Sequence, residues 1–264
     1  MLLLRSLLFQ ILFYLNFLLF ALLTPIMLFM PKAFAWYYVV TWMRSVMFLW
    51  KWITGSTYEY RGLENIPKEG CILASKHQSA WETIGLGPAV HNIVYIMKRE
   101  LMSIPVFGWF AQKTGMIPVR RSDRSKALGP MIEAADAAVK NGRQIVIFME
   151  GTRMAAGTMR PYKAGVARMA DAIQCPIVPV ALNTGLFWPR NSFWRYSGHA
   201  IIEFLPPILP GGTVQDVLEK LEHDVEEATN VLILETAQSN NPPETIHKAL
   251  DELEARGVDI SPLR

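Results

Sequence analysis

The first thirty residues constrain this chain more than any others. From Leu2 to Met30 almost every side chain is apolar, the interruptions being Arg5, Ser6, Gln10, Asn16 and Thr24-Pro25. A helix of that length crosses a hydrocarbon core of about 30 Å, so a membrane contact is expected. A secretory leader is the rival reading, because Ala33-Phe34-Ala35 looks like a cleavage site and Arg5 like a charged n-region. The apolar core of such a leader runs to about 7–15 residues, and this stretch is much longer.

A second apolar stretch, Ala33 to Ile53, carries Tyr37, Thr41, Arg44 and Lys51 at helical spacing, which gives it one polar face suited to headgroups or to the body of the protein. Pro31-Lys32 separates the two segments. The pattern predicts a helical hairpin with Trp36, Tyr37, Tyr38, Trp42, Trp50 and Trp52 placed for an interface. If the first helix spans, Arg5 set against Lys32, Arg44 and Lys51 puts the body on the cytoplasmic side by the positive-inside bias. The two cysteines, Cys71 and Cys175, lie in apolar, strand-like surroundings and fit buried thiols in a reducing compartment.

After Gly55 the pattern changes. Tyr58–Tyr60, Cys71–Ser75, Ile93–Met97, Met116–Val119, Ile145–Met149, Ile177–Leu182 and Ala200–Leu205 read as strands separated by helical segments, which predicts an α/β fold with a central mixed sheet flanked by helices. One such helix runs from about Arg124 to Lys140 and stops at Asn141-Gly142. Past Gly211-Gly212, an amphipathic helix and a short final one form an extension. The expected division is therefore membrane-embedded helices over 1–54, one α/β domain over 55–212 and a C-terminal helical extension over 213–264. With 264 residues the chain has room for one such domain plus extras. A net charge of +3 with no basic tail or finger spacing gives no support for nucleic-acid binding. The five histidines show no metal-ligand spacing.

Chemistry enters at Lys76-His77-Gln78-Ser79-Ala80-Trp81-Glu82, directly after a strand. A histidine titrates near about pH 6.5 and can take a proton from an alcohol, while a carboxylate on its other nitrogen fixes tautomer and orientation. His77 and Glu82 are five positions apart, so they meet only if His77 sits on the loop and Glu82 in the first helical turn. Ser79-x-x-Glu82 is also a capping box, in which Glu82 bonds the backbone N–H of Ser79. This segment fits both roles. Glu150-Gly151-Thr152-Arg153 follows another strand, and a tight turn there presents Arg153 and backbone donors to a phosphate. Lys98-Arg99-Glu100-Leu101 and Pro118-Val119-Arg120-Arg121 supply further cations, although basic clusters of this kind are more often solvated surface.

In order and spacing, these blocks resemble the glycerolipid acyltransferase family that includes 1-acylglycerol-3-phosphate acyltransferases. The resemblance runs from about Tyr58 to Leu205 and takes in Tyr162-Lys163-Ala164-Gly165 and Pro176-Ile177-Val178-Pro179-Val180-Ala181. Its implications follow position by position. His77 is the base, partnered by Glu82. Lys98, Arg121, Glu150, Gly151, Thr152 and Arg153 bind a phosphate-bearing acceptor, and the Val-Pro-Val block helps shape the acyl-donor pocket. The reaction implied is acyl transfer from acyl-CoA or acyl-carrier protein to lysophosphatidic acid, with glycerol-3-phosphate or another lysolipid as the alternative acceptor, with no cofactor, metal or acyl-enzyme, on the cytoplasmic side of a bacterial inner membrane. Two departures stand out: Glu82 replaces the family's usual Asp, and Arg120 occupies a position where an acidic residue is frequent. Two rivals explain less. A hydrolase using Ser79 lacks a Gly-x-Ser-x-Gly elbow and has its serine two residues from the base. A non-catalytic module binding acidic lipids through Arg120, Arg121, Arg124 and Lys126 leaves the ordered blocks unexplained.

Overall fold

The computed structural model describes residues 1–120 and 128–261. Arg121, Arg124 and Lys126 therefore lie outside the described residues, as does the first turn expected for the helix at Arg124. The chain opens with α1 (Leu2–Leu28) and α2 (Lys32–Thr54), followed by β1 (Thr57–Arg61), β2 (Cys71–Ser75), α3 (Trp81–Ala89) and β3 (Ile93–Lys98). It continues through α4 (Phe107–Thr114), β4 (Ile117–Val119), α5 (Leu128–Lys140), β5 (Gln144–Phe148), α6 (Gly165–Ile173), β6 (Ile177–Leu182) and β7 (His199–Phe204), and ends in α7 (Val214–Ala237) and α8 (Thr245–Ala255). All seven expected strands are present.

The strands form one mixed sheet in the order β1-β7-β6-β2-β5-β3-β4. Neighbours from β6 through β4 pair in parallel, and β7 runs antiparallel to β6 and parallel to β1. The carboxyl ends of β2, β3, β5 and β6 consequently gather at one edge, where open α/β sheets place their ligands.

The central strand β2 is buried along its whole length, and alternate residues enter different cores. Cys71 and Leu73 join Val146, Val178 and Val180 on one face. On the other face, Ile72 and Ala74 join Ile145 and Ile177 against α5, α6 and the first half of α7. Helix α7 begins with a capping box formed by Thr213 and Asp216. It packs Leu221 and Val225 into one core and Ile233 into the other.

The two N-terminal helices pair with each other but bury very different amounts of surface. Helix α2 sets Met43, Val46, Met47 and Trp50 into the first core, each such side chain contributing about 1.5–3 kcal/mol on full burial. Its polar face of Tyr37, Thr41, Arg44 and Lys51 points away from the body. Helix α1 buries only Ser6, Phe9 and Thr24. Leu3, Leu4, Leu15, Leu18, Leu19 and Leu22 stand exposed, and its mean hydropathy of 2.3 and 27 residues make it long and apolar enough to cross a membrane.

Candidate active site

Residues Lys76 to Ala80 leave the end of β2 as a loop, and α3 begins at Trp81. Glu82 thus occupies the first helical turn, where its carboxylate turns back over the loop. Its Oε1 accepts from His77 Nδ1 at 2.8 Å, from Gln78 N–H at 2.8 Å and from Ser79 N–H at 2.7 Å. Its Oε2 accepts from the Thr184 hydroxyl at 2.7 Å. The two contacts open to Glu82 are therefore made by one oxygen, which binds the imidazole and the Ser79 N–H of the loop leading into α3 at once. With Nδ1–H directed at a carboxylate, Nε2 is left as the acceptor. The ring lies flat on Phe148, with centroids 3.9 Å apart and planes 14° apart, and it lines a cavity. Ser79 is buried and its Oγ accepts the Trp81 N–H, a capping contact that gives it no nucleophile's exposure.

The end of β5 holds the same loop from behind. Glu150 Oε2 accepts the His77 N–H at 2.8 Å, and the Met154 N–H donates to the His77 carbonyl at 2.7 Å. The turn between them places Gly151 at φ +69, and a Cβ there would strike the Lys163 side chain. Glu150 is fully buried with its other oxygen 3.3 Å from Lys76 Nζ. Burial pushes its carboxyl above the usual carboxylate range, against the opposing pull of Lys76 and the His77 N–H. Lys76, also fully buried, pairs with Glu226 of α7. Glu226 in turn accepts from the Tyr162 hydroxyl at 2.7 Å and from Arg256 at 3.1 Å.

The cavity beside His77 has a volume of about 750 Å³. Phe13, Phe17 and Phe20 of α1, Trp42 of α2 and Phe110 of α4 give it apolar walls, while Lys98, Thr152, Arg153 and Arg190 supply polar ones. Arg190 also donates to the Arg153 carbonyl. At Val106 the wall contains a γ-turn, with φ +69, ψ −60 and the Phe107 N–H on the Pro105 carbonyl at 2.8 Å, a conformation that strains a β-branched residue.

Of the residues singled out from sequence, His77 and Glu82 are in direct contact, and His77, Lys98, Thr152 and Arg153 share the cavity. Glu150 and Gly151 do not line it, because Glu150 faces Lys76 and the His77 backbone and Gly151 forms the bend. The Val178-Pro179-Val180 block contributes no wall either: it is β6, buried at the centre of the sheet. Thr184, Lys76 and Arg190 were not among the sequence candidates.

The family model described as Acyltransferase matches residues 57–183. The 1-acyl-sn-glycerol-3-phosphate acyltransferase of Pseudomonas aeruginosa is 37% identical over 160 residues, which cover 61% of this chain and 62% of that protein. The human 1-acyl-sn-glycerol-3-phosphate acyltransferase alpha is 29% identical over 169 residues, 63% of this chain and 60% of that one. The chain thus spans less than two thirds of either relative's length. The crystal structure of the 1-acyl-sn-glycerophosphate (LPA) acyltransferase from Thermotoga maritima superposes with a TM-score of 0.74 at 20% identity, covering 88% of this chain and 98% of that one, and shows the same fold. The match to the Acyltransferase model over residues 57–183 takes in both the loop that carries His77 and the turn at Glu150–Arg153.

Proposed function

We propose that this protein transfers a fatty acyl group from a thioester donor, acyl-CoA or acyl-carrier protein, to the sn-2 hydroxyl of lysophosphatidic acid, giving phosphatidic acid. The observation that carries the reading is His77 itself. Its Nδ1 is held by a fully buried carboxylate, and its ring borders a cavity lined both by aromatic side chains and by Lys98, Arg153 and Arg190. An acyl chain and a phosphate need such opposite surroundings, and a hydroxyl between them lies within reach of a base. The names of the relatives agree with that substrate class.

In this mechanism Nε2 removes the proton of the acceptor hydroxyl as its oxygen attacks the thioester carbonyl. Collapse of the tetrahedral adduct breaks the C–S bond, and the imidazolium returns its proton to the departing thiolate. Glu82 keeps the tautomer and stabilises the charged ring without taking its proton. Thr152, Arg153, Lys98 and Arg121 hold the phosphate, joined by Arg190, whereas Glu150 and Gly151 serve by shaping the loop that carries His77. The division into membrane helices at 1–54, a catalytic domain at 55–212 and a C-terminal extension at 213–264 accompanies this reading. So does an inner-membrane location with the body on the cytoplasmic side, which the charges at Lys32, Arg44 and Lys51 favour.

Purified membranes supplied with labelled acyl-CoA or acyl-carrier protein and a panel of lysophosphatidic acid, glycerol-3-phosphate and other lysolipids test the assignment. Lysophosphatidic acid is expected to be the preferred acceptor. His77→Ala is expected to lower transfer by about 10²–10⁴-fold with the protein still folded, and an active His77→Ala overturns the mechanism. Arg153→Ala is expected to raise the acceptor KM more than the donor KM. An equal rise in both removes Arg153 from the acceptor site.

A further inference from the structure

Glu82 has two carboxylate oxygens, and His77, Gln78 and Ser79 all converge on Oε1. What holds Oε2 helps decide how the carboxylate is turned, because the terminal torsion of a glutamate side chain has only a broad intrinsic preference. The group that holds it is the Thr184 hydroxyl, 2.7 Å away and 102 residues distant in sequence. Thr184 opens a short 3-10 turn, Thr184–Leu186, at the carboxyl end of β6 and is itself buried.

The turn grips the catalytic loop a second time. The Gly185 N–H donates to Gln78 Oε1 at 3.1 Å, and the two backbones approach so closely that a Cβ on Gly185 would lie 2.7 Å from Gln78 Cβ. From the far side, the Thr245 hydroxyl of α8 donates to the Leu186 carbonyl at 2.6 Å. The turn lies just past the residues matched by the family model.

We infer that Thr184 is a positioning residue for acyl transfer: by fixing Oε2 of Glu82 it aims Oε1 at Nδ1 of His77. The inference rests on the reading of His77 as the base. Thr184 does not line the cavity beside His77 and acts through Glu82. A threonine hydroxyl suits this place because it is a donor without charge, so it moderates the carboxylate without neutralising it.

The decisive experiment compares Thr184→Val, which keeps the shape and removes the donor, with Thr184→Ser, which restores it. Both are assayed in membranes beside His77→Ala. Thr184→Val is expected to lower kcat about 10-fold, as loss of a hydrogen bond to a charged group does, with both KM values within about twofold. A carboxylate deprived of this donor becomes more basic and holds a protonated imidazole more firmly. The acid limb of the kcat/KM profile is therefore expected to move to higher pH. Thr184→Ser is expected to recover both rate and profile.

Wild-type rate and profile in Thr184→Val overturn the inference. A fall in rate with an unmoved acid limb and no rescue by serine also overturns it, since that pattern belongs to a packing role alone. If His77→Ala retains activity, it is the base assignment that fails. If His77→Ala is inactive while Thr184→Val behaves as wild type, the base stands and only the role of Thr184 falls.

Discussion

Lys76 and His77 are consecutive residues on one loop, and their side chains meet opposite surroundings. Behind the loop, Lys76 is sealed among Glu150, Glu226 and Tyr162, with Arg256 closing the far end. In front of it, His77 meets a single carboxylate that faces no cation among the described residues and is satisfied by an imidazole, two backbone N–H groups and a hydroxyl. The rear cluster balances charge with charge, and so resists change. The front pair leaves one ring nitrogen uncommitted at a cavity, and so can move a proton. Three buried glutamates near one histidine thus do different work, determined by which donors point at them: Glu82 orients the ring, Glu150 holds the backbone, and Glu226 ties the loop to α7.

The strongest way to break this contrast is Lys76→Met. It leaves two carboxylates facing each other without their cation, and removing one partner of a buried pair costs about 3–5 kcal/mol. Its pH dependence carries the sharper signature. Burial already holds the Glu150 carboxyl above the usual range, and Lys76 is what opposes that rise. Without Lys76 the folded protein keeps a proton on this carboxyl to higher pH, while the unfolded chain releases it near about pH 4.3. The folded state then binds more protons than the unfolded one, so stability falls as pH rises through that window. Thermal unfolding in detergent is expected to show the variant gaining on the wild type at acid pH. A deficit that does not depend on pH would contradict the charge-balanced reading.

The next largest effect belongs to the front pair. Glu82→Gln keeps an oxygen for His77, Gln78 and Ser79 and lets the Thr184 hydroxyl reverse and accept from the new amide. The helix cap should survive, with stability changed by about 1 kcal/mol or less. Catalysis should not survive intact, since the charge that stabilises an imidazolium is gone, and kcat is expected to fall by about 10²-fold or more. A stable, active Glu82→Gln would reduce Glu82 to a cap.

The sequence shows the front of this loop far better than the back. Strands are legible because their apolar runs alternate with helical spacing, and His77, Glu82 and Arg153 are legible because their side-chain chemistry has few uses at a strand end. Lys76 reads as one more cation beside a histidine, since nothing local announces that its partner is Glu226, 150 residues away. Thr184 is hidden for the same reason. Block order assigned Glu150 to the substrate, but its environment is set by the parallel pairing of β2 with β5, which turns the carboxylate onto the neighbouring strand's loop. The apolar run of α1 reads as a membrane contact along its whole length. Phe13, Phe17 and Phe20 nevertheless recur at helical spacing on a side that borders the cavity with residues of α2 and α4, so part of that apolar pattern lines a cavity.

Glu226 offers the finest test of the comparison, because it belongs to the rear cluster and lies in a helix beyond the family-matched residues. Glu226→Gln keeps an oxygen for Tyr162 and Lys76 and removes the charge together with the oxygen that accepts from Arg256, while Lys76 retains Glu150 and Arg256 retains its bond to the Gly157 carbonyl at 2.9 Å. The expected loss is about 1–2 kcal/mol of stability, the usual cost of weakening charge-assisted hydrogen bonds without orphaning their donors. Because Glu226 reaches His77 only through Lys76 and Glu150, kcat should change by no more than about threefold and neither KM should move. Measured side by side, Glu82→Gln should lose rate and keep stability, and Glu226→Gln should lose stability and keep rate. Should Glu226→Gln instead lower kcat as far as Glu82→Gln does, the two sides of the loop would form one catalytic unit, and α7 would have to be counted part of the active site.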